Sequence, residues 1–184
     1  PIWFPDNSVV LVEIARGTVS RVGTDGSITV VADTGGGPNG IAFGPDGRIY
    51  VCNNGGFDTR KGPDGRTQIL ETNDSYVGGS IQAVDPATGT VETLYTEAGG
   101  HKLSAPNDIV FDATGGFWFT DHGKQWEYQR DHGGIYYAKP DGSKIIEAMY
   151  GSPGYNGVGL SPDEKVVYAA ETETGKLWAH DIVG

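Results

Sequence analysis

The sequence has one cysteine and one methionine in 184 residues, and neither a long apolar run nor a helical hydrophobic period. A lone Cys52 excludes an intrachain disulfide and leans toward a reducing, cytoplasmic setting. No stretch approaches the length of a membrane span and no signal-peptide pattern is visible. Positive charge is scarce: 13 Lys and Arg stand against 24 Asp and Glu, a formal net charge of −11. Such a chain is repelled by nucleic acid and by anionic membranes, so neither is expected as a partner. Nowhere do apolar residues recur at i, i+3, i+4 and i+7 for three turns, which excludes a helical domain. Gly-x-Ser-x-Gly is missing, and Gly35-Gly36-Gly37-Pro38-Asn39-Gly40 lacks the Lys-Ser/Thr of a phosphate loop. One Cys and four scattered His provide no pair at structural-zinc spacing.

Glycine, by contrast, is abundant: 30 residues of 184, where about 7% is ordinary. The glycines punctuate short runs of Val, Ile, Tyr, Phe and Trp, the pattern of many short strands joined by tight turns. These runs repeat. Asn39-Gly-Ile-Ala-Phe-Gly-Pro-Asp-Gly47, Asn107-Asp-Ile-Val-Phe-Asp-Ala-Thr-Gly115 and Asn156-Gly-Val-Gly-Leu-Ser-Pro-Asp-Glu164 align without a gap. Each continues into a second apolar run, at Ile49–Asn53, Phe117–Asp121 and Val166–Glu171, and then a third opening with Gly79, Gly133 or Gly175. Fourth runs follow at Val91–Tyr95 and Lys144–Met149, and the same template fits Pro5 to Val31. Four copies of a four-stranded unit predict an all-β fold, about four blades of a β-propeller in a single partial domain over 1–184. The blades are expected at about 1–37, 38–104, 105–153 and 154–184. Trp3, Trp118 and Trp178 fall in strands and are expected to pack blade on blade. Two units carry insertions. Gly55 to Gly78 reads equally as a disordered loop, whereas Gly123 to His132, with Trp126, Tyr128 and Arg130, is expected to be ordered.

In such a blade the start of the first strand and the end of the second share one mouth of the central channel. That predicts convergence of Asn39, Asn107 and Asn156 with Glu13, Asn53, Asp121 and Glu171, all hard oxygen donors that suit Ca²⁺. Asn before Gly is equally a turn residue, so the pattern alone leaves metal binding and turn-making both open. His122, beside Asp121, is a candidate for contact with substrate or for acid–base work.

The strings Ala105-Pro-Asn-Asp-Ile-Val-Phe-Asp112, Gly116-Phe-Trp-Phe-Thr-Asp121 and Tyr155-Asn-Gly-Val-Gly-Leu-Ser-Pro-Asp163 resemble the calcium-dependent lactonase family that includes regucalcin and gluconolactonase, relatives of paraoxonase and diisopropyl fluorophosphatase. The resemblance implies a six-bladed propeller with a divalent ion in its channel: Ca²⁺, or another such as Mg²⁺, Mn²⁺ or Zn²⁺. It implies Asn156 as a metal ligand and Asn107 as a ligand or a substrate-orienting group; Asn39 and His122, by their place at the mouth, are expected to bind substrate. Pro1-Ile2-Trp3 matches the end of the family's Glu-x-Pro-x-Trp motif, so its Glu is expected ahead of Pro1 and its Asp base beyond Gly184. Asp121 is then the best local candidate for the base. The activity implied is metal-dependent hydrolysis of small lactones or related esters. The alternatives are a non-catalytic binding propeller and a metal-independent relative similar to strictosidine synthase. Open blade edges at Val9–Val12 and Lys176–His180 predict self-association.

Overall fold

The computed structural model describes residues 1–183. Strands follow one another in chain order. β1 (Ile2–Trp3), β2 (Val9–Glu13), β3 (Thr18–Val22) and β4 (Ile28–Asp33) form the first antiparallel sheet. β5 (Pro38–Phe43) and β6 (Ile49–Asn53) begin the second. A small hairpin of β7 (Thr59–Lys61) and β8 (Thr67–Ile69) intervenes before β9 (Ser80–Val84) and β10 (Val91–Tyr95) complete it. A short hairpin, β11 (Glu97–Ala98) with β12 (His101–Lys102), leads to the third sheet: β13 (Pro106–Phe111), β14 (Phe117–Asp121), β15 (Gly133–Ala138) and β16 (Ile145–Ser152). β17 (Tyr155–Leu160), β18 (Val166–Glu171) and β19 (Lys176–Asp181) form the fourth. Each sheet is a blade of a propeller.

The core lies between blades. In a strand successive side chains face opposite ways, so an inner strand feeds two interfaces at once. On β6, Ile49 and Val51 join Val10, Val19 and Ile41 of the first interface, while Tyr50 and Cys52 join Phe117, Phe119 and Tyr136 of the second. All five β6 residues are buried. A third interface, of Ile135, Tyr155, Val167 and Ala169, joins blades three and four. Trp118 and Trp178 pack there, as expected of blade-packing residues. Trp3 does not: it is 63% exposed, since its neighbour Ile2 takes the face that packs on the first interface and successive strand residues point opposite ways.

The turn between first and second strands repeats a left-handed residue, at Asn7, Gly47, Gly115 and Glu164. Gly adopts that backbone freely, and Glu164 does so at φ 55° while its carboxylate accepts the Ala113 N–H of the neighbouring blade at 2.9 Å.

The last residue of each second strand is spent on hydrogen bonds within the protein, in the second, third and fourth blades partly to the segment that leads in from the preceding blade. Glu13 accepts from Arg16, Thr18 and Ser20. Asn53 accepts from Gly37 N and Gly55 N and donates to Gln82. Glu171 accepts from Ser152, Thr174 and Trp178. Asp121, 1% exposed, accepts the backbone N–H groups of Ser104 (2.7 Å), Ala105 (2.7 Å) and Gly123 (2.8 Å).

Both insertions are ordered and fold onto each other. Gly55 to Gly78 holds the β7–β8 hairpin rather than a disordered loop. Thr72 Oγ1 donates to Gln125 O at 3.0 Å, and Tyr76 meets the Trp126 ring edge-on at 5.8 Å. Tyr128, expected to be ordered against a neighbour, is 92% exposed. Between the insertions lies Lys124, 1% exposed, with Nζ donating to Gly56 O at 2.6 Å and standing 3.4 Å from the centre of the Phe57 ring. Burial pulls its pKa down to about 8, the charge of Asp121 opposing.

Two outcomes follow for stability. Asp121→Ala orphans three buried N–H donors and should cost about 3–5 kcal/mol in chemical denaturation. Asp121→Asn, which keeps one acceptor oxygen, should cost less. Equal, small losses for both would show that water replaces the carboxylate. For Lys124 the folded pKa lies below the unfolded one, so the folded state binds fewer protons between the two values. Stability should therefore rise as pH goes from about 8 toward the ordinary lysine range. Lys124→Met should abolish that rise, measured as melting temperature against pH; an unchanged slope would assign it to another group.

Candidate functional site

The first strands β5, β13 and β17 stand side by side, and each breaks its ladder at the same place. Pairing with the second strand slips between Pro38 and Ile41, between Pro106 and Ile109, and between Tyr155 and Val158. The residues lifted out are Asn39-Gly40, Asn107-Asp108 and Asn156-Gly157. A β-bulge re-aims side chains and leaves backbone groups unpaired, which is how a regular sheet is made to present a site. Sequence alone could not separate turn-making from binding for these Asn residues; the structure puts them within strands, at bulges, and not in turns.

Close packing joins the bulges. A Cβ on Gly40 would sit 2.4 Å from Asn107 O and 2.6 Å from Asp108 Cα, so only Gly fits there. Asp108 Oδ2 accepts the Val158 N–H at 3.0 Å, crossing from blade three to blade four. Thr120 Oγ1 takes the Asp108 N–H at 3.2 Å and donates to Asn156 O. The side chains of Asn39, Asn107 and Asn156 are half-buried. Asn156 Nδ2 donates to Thr172 Oγ1 at 3.0 Å, which holds the amide in place.

Of the expected residues, Asn39, Asn107 and Asn156 thus share one end of three adjacent strands. The second-strand ends lie beside them in register, Asn53 opposite Pro38, Asp121 opposite Pro106 and Glu171 opposite Tyr155. They do not add a ring of free oxygen donors, because each is spent on hydrogen bonds within the protein. Asp121 as a base meets the same difficulty. Burial pushes its pKa above the ordinary carboxylate value, the three N–H donors pulling the other way. A raised pKa suits a base, but a base must first reach its proton. Both oxygens here are enclosed by backbone donors, and the residue serves as a tie.

His122 is half-buried, its N–H bonded to Ala105 O at 2.9 Å. It lines a cleft of about 390 Å³ with Phe57, Leu70, Glu71, Lys124 and Trp126, walled by the two insertions. Arg130 Nη2 lies 3.2 Å from His122 Nδ1, and Nη1 pairs with Glu173 Oε1 at 2.9 Å. Asp108, Lys124 and the Arg130–Glu173 pair escaped the sequence reading. Asp108 alone left a signal, as the one acidic residue where the other two repeats carry Gly. The remaining histidines lie elsewhere; His101, for one, pairs with Glu147 at 2.9 Å.

Amide oxygens from the bulges, with the Asp108 carboxylate, are the donors a hard cation prefers. Among the described residues no three Asp, Glu, His or Cys side chains converge as an ion's ligands. The residues therefore fit an oxygen-loving ion in kind, as part of a coordination shell.

Comparison with known proteins agrees with this geometry. Residues 1–183 match the family described as SMP-30/Gluconolactonase/LRE-like region. Lactonase drp35 of Staphylococcus haemolyticus is 28% identical over 174 residues, covering 94% of this chain and 47% of that protein. A gluconolactonase structure from Xanthomonas campestris superposes with a TM-score of 0.73 at 23% identity, over 99% of this chain and 57% of that one. A regucalcin from Agrobacterium tumefaciens, described as a calcium-binding protein, superposes at 0.65 with 15% identity, over 100% of this chain and 53% of that one. At these identities the superpositions show the fold, and the chain spans about half the length of the curated relative it matches. The family match extends through all four blades, and the chain belongs to the SMP-30/gluconolactonase/LRE-like family.

Proposed function

We propose that the bulged mouth of this chain serves a hydrolase that opens small lactones or related esters. The observation that carries the reading is the threefold bulge, which sets Asn39, Asn107 and Asn156 at one end of adjacent first strands. The lactonase relative supports the reaction class, and the regucalcin neighbour supports a divalent ion.

Asn156 and Asn107 hold the ion, Ca²⁺ or another oxygen-loving divalent cation, through their amide oxygens. Bound there, it would polarise a carbonyl oxygen and stabilise the oxyanion that water addition creates. Asn156 is held in place by its contact with Thr172. Asn39, on the neighbouring bulge, orients the substrate. Asp108 braces blade four through Val158 and adds negative charge beside the amides. Asp121 holds the start of the third blade through three backbone N–H groups, which disfavours it as the base.

The test uses the full-length protein. Ca²⁺ or Mn²⁺ should raise its melting temperature, since ligand binding stabilises the native state by mass action, and Asn156→Ala should remove the increment. Asn107→Ala should lower lactone turnover by about 100-fold, in the range of a lost oxyanion partner, with little change in melting temperature. Turnover that survives a chelator would move the protein to a metal-free mechanism. Lactone binding with no turnover under any metal would make it a binding propeller.

A further inference from the structure

The cleft beside the bulges holds a histidine whose proton is placed by its neighbours. His122 connects the cleft to the site from two sides. Its N–H bonds to Ala105 O, two residues before Asn107. Its Nε2 lies against Gly154, two residues before Asn156, where a Cβ would come within 3.2 Å of Nε2 and 2.9 Å of Arg130 Nη2. A side chain at position 154 would therefore displace the histidine or the arginine.

The guanidinium decides the tautomer. It carries only donors and does not lose its proton in proteins. With Nη2 at 3.2 Å, Nδ1 must offer its lone pair, and the ring proton sits on Nε2. Gly123 O, 3.3 Å from Nδ1, favours the opposite tautomer, but a proton on Nδ1 would face the guanidinium N–H directly. Arg130 is held in turn: Nη1 donates to Glu173 Oε1 and to Gln125 Oε1, both at 2.9 Å. Burial, and then the charge of Arg130, lower the pKa of His122 below its ordinary value, with Gly123 O and Glu173 opposing. Glu71, Lys124 and Glu127 are the other charged groups lining the cleft. The imidazole is a neutral, directed N–H donor beside the bulges.

Its surroundings define what it can hold. Phe57, Leu70 and Trp126 give the cleft apolar walls, while the carboxylates of Glu71 and Glu127 disfavour an anion. We infer that His122 donates from Nε2 to the carbonyl or ring oxygen of an uncharged lactone whose apolar arm lies between Phe57, Leu70 and Trp126, with Arg130 and Glu173 as positioning residues. This rests on the hydrolase reading and extends it to a substrate class.

The test separates the inference from the hydrolase reading by using a ligand that does not turn over. Long-range ¹H–¹⁵N NMR of the full-length protein should show His122 as the Nε2–H tautomer across neutral pH, changing to a tautomer mixture with a higher pKa in Arg130→Met. A six-membered lactam bearing a butyl arm should bind, and the open-chain hydroxy acid of the same length should not. His122→Phe should weaken lactam binding about ten-fold, the scale of one lost hydrogen bond in a partly dry site. His122→Gln, whose amide nitrogen can stand in for Nε2, should restore much of it. Circular dichroism and melting temperature serve as folding controls for each variant. An unchanged tautomer in Arg130→Met, equal lactam affinity in His122→Phe, or equal affinity for the acid would each overturn the inference. His122-dependent lactam binding without lactone turnover would support it while removing the hydrolase. Turnover with KM unchanged in His122→Phe would do the reverse.

Discussion

Each inner strand must feed two hydrophobic interfaces, one on either side of its blade. β6 shows the constraint most fully, with Ile49 and Val51 in one core and Tyr50 and Cys52 in the next. A polar side chain along such a strand is buried and costs kilocalories unless it finds a partner, as Thr120 does between the Asp108 N–H and Asn156 O. Polar chemistry is therefore pushed to the strand ends, and the repeat delivers the same ends to the same place from each blade.

At those ends two kinds of residue part company. Glu13, Asn53, Asp121 and Glu171 close second strands by satisfying backbone and hydroxyl groups of their own blade and of the segment that leads into it. Asn39, Asn107 and Asn156 open first strands at bulges. Asp121 shows why type and position alone mislead: a carboxylate at a channel mouth with a raised pKa has the attributes of a base. Three N–H donors at 2.7–2.8 Å leave it no free oxygen.

The strands were legible because two local signals agree in each. Short continuous apolar runs mark Val9–Glu13, Ile49–Asn53, Phe117–Asp121 and Val166–Glu171, and Gly-, Asp- or Asn-bearing turns bound them. The bulges were not legible: an Asn-Gly pair is a turn signal, and only pairing with a second strand reveals that the ladder slips there. The β7–β8 hairpin is polar on both faces and offers no period to read. Lys124 looks like any solvated loop lysine until Gly56 and Phe57, from the other insertion, are folded over it. Arg130 and Glu173 belong to different blades, and no local pattern links them.

These failures have a common physical origin, and it divides the labour in the molecule. What the repeat encodes is local: strand, turn and the Asn at each bulge, so three blades supply equivalent groups to one channel mouth. What the insertions encode is non-local, since Lys124, Trp126 and Arg130 act only against Gly56, Tyr76 and Glu173 from other segments. The insertions project from the blade ends and contribute little to the interblade cores, so their residues can change without disturbing β5, β13 or β17. Gly154 is the exception, lying at the start of a blade and beneath the Arg130–His122 pair at once. It couples the two halves: two residues before Asn156, a side chain there would press on Arg130, Glu173 and His122. A protein that keeps its bulges can therefore alter its ligand by rebuilding the rim, provided the rim leaves that one glycine room.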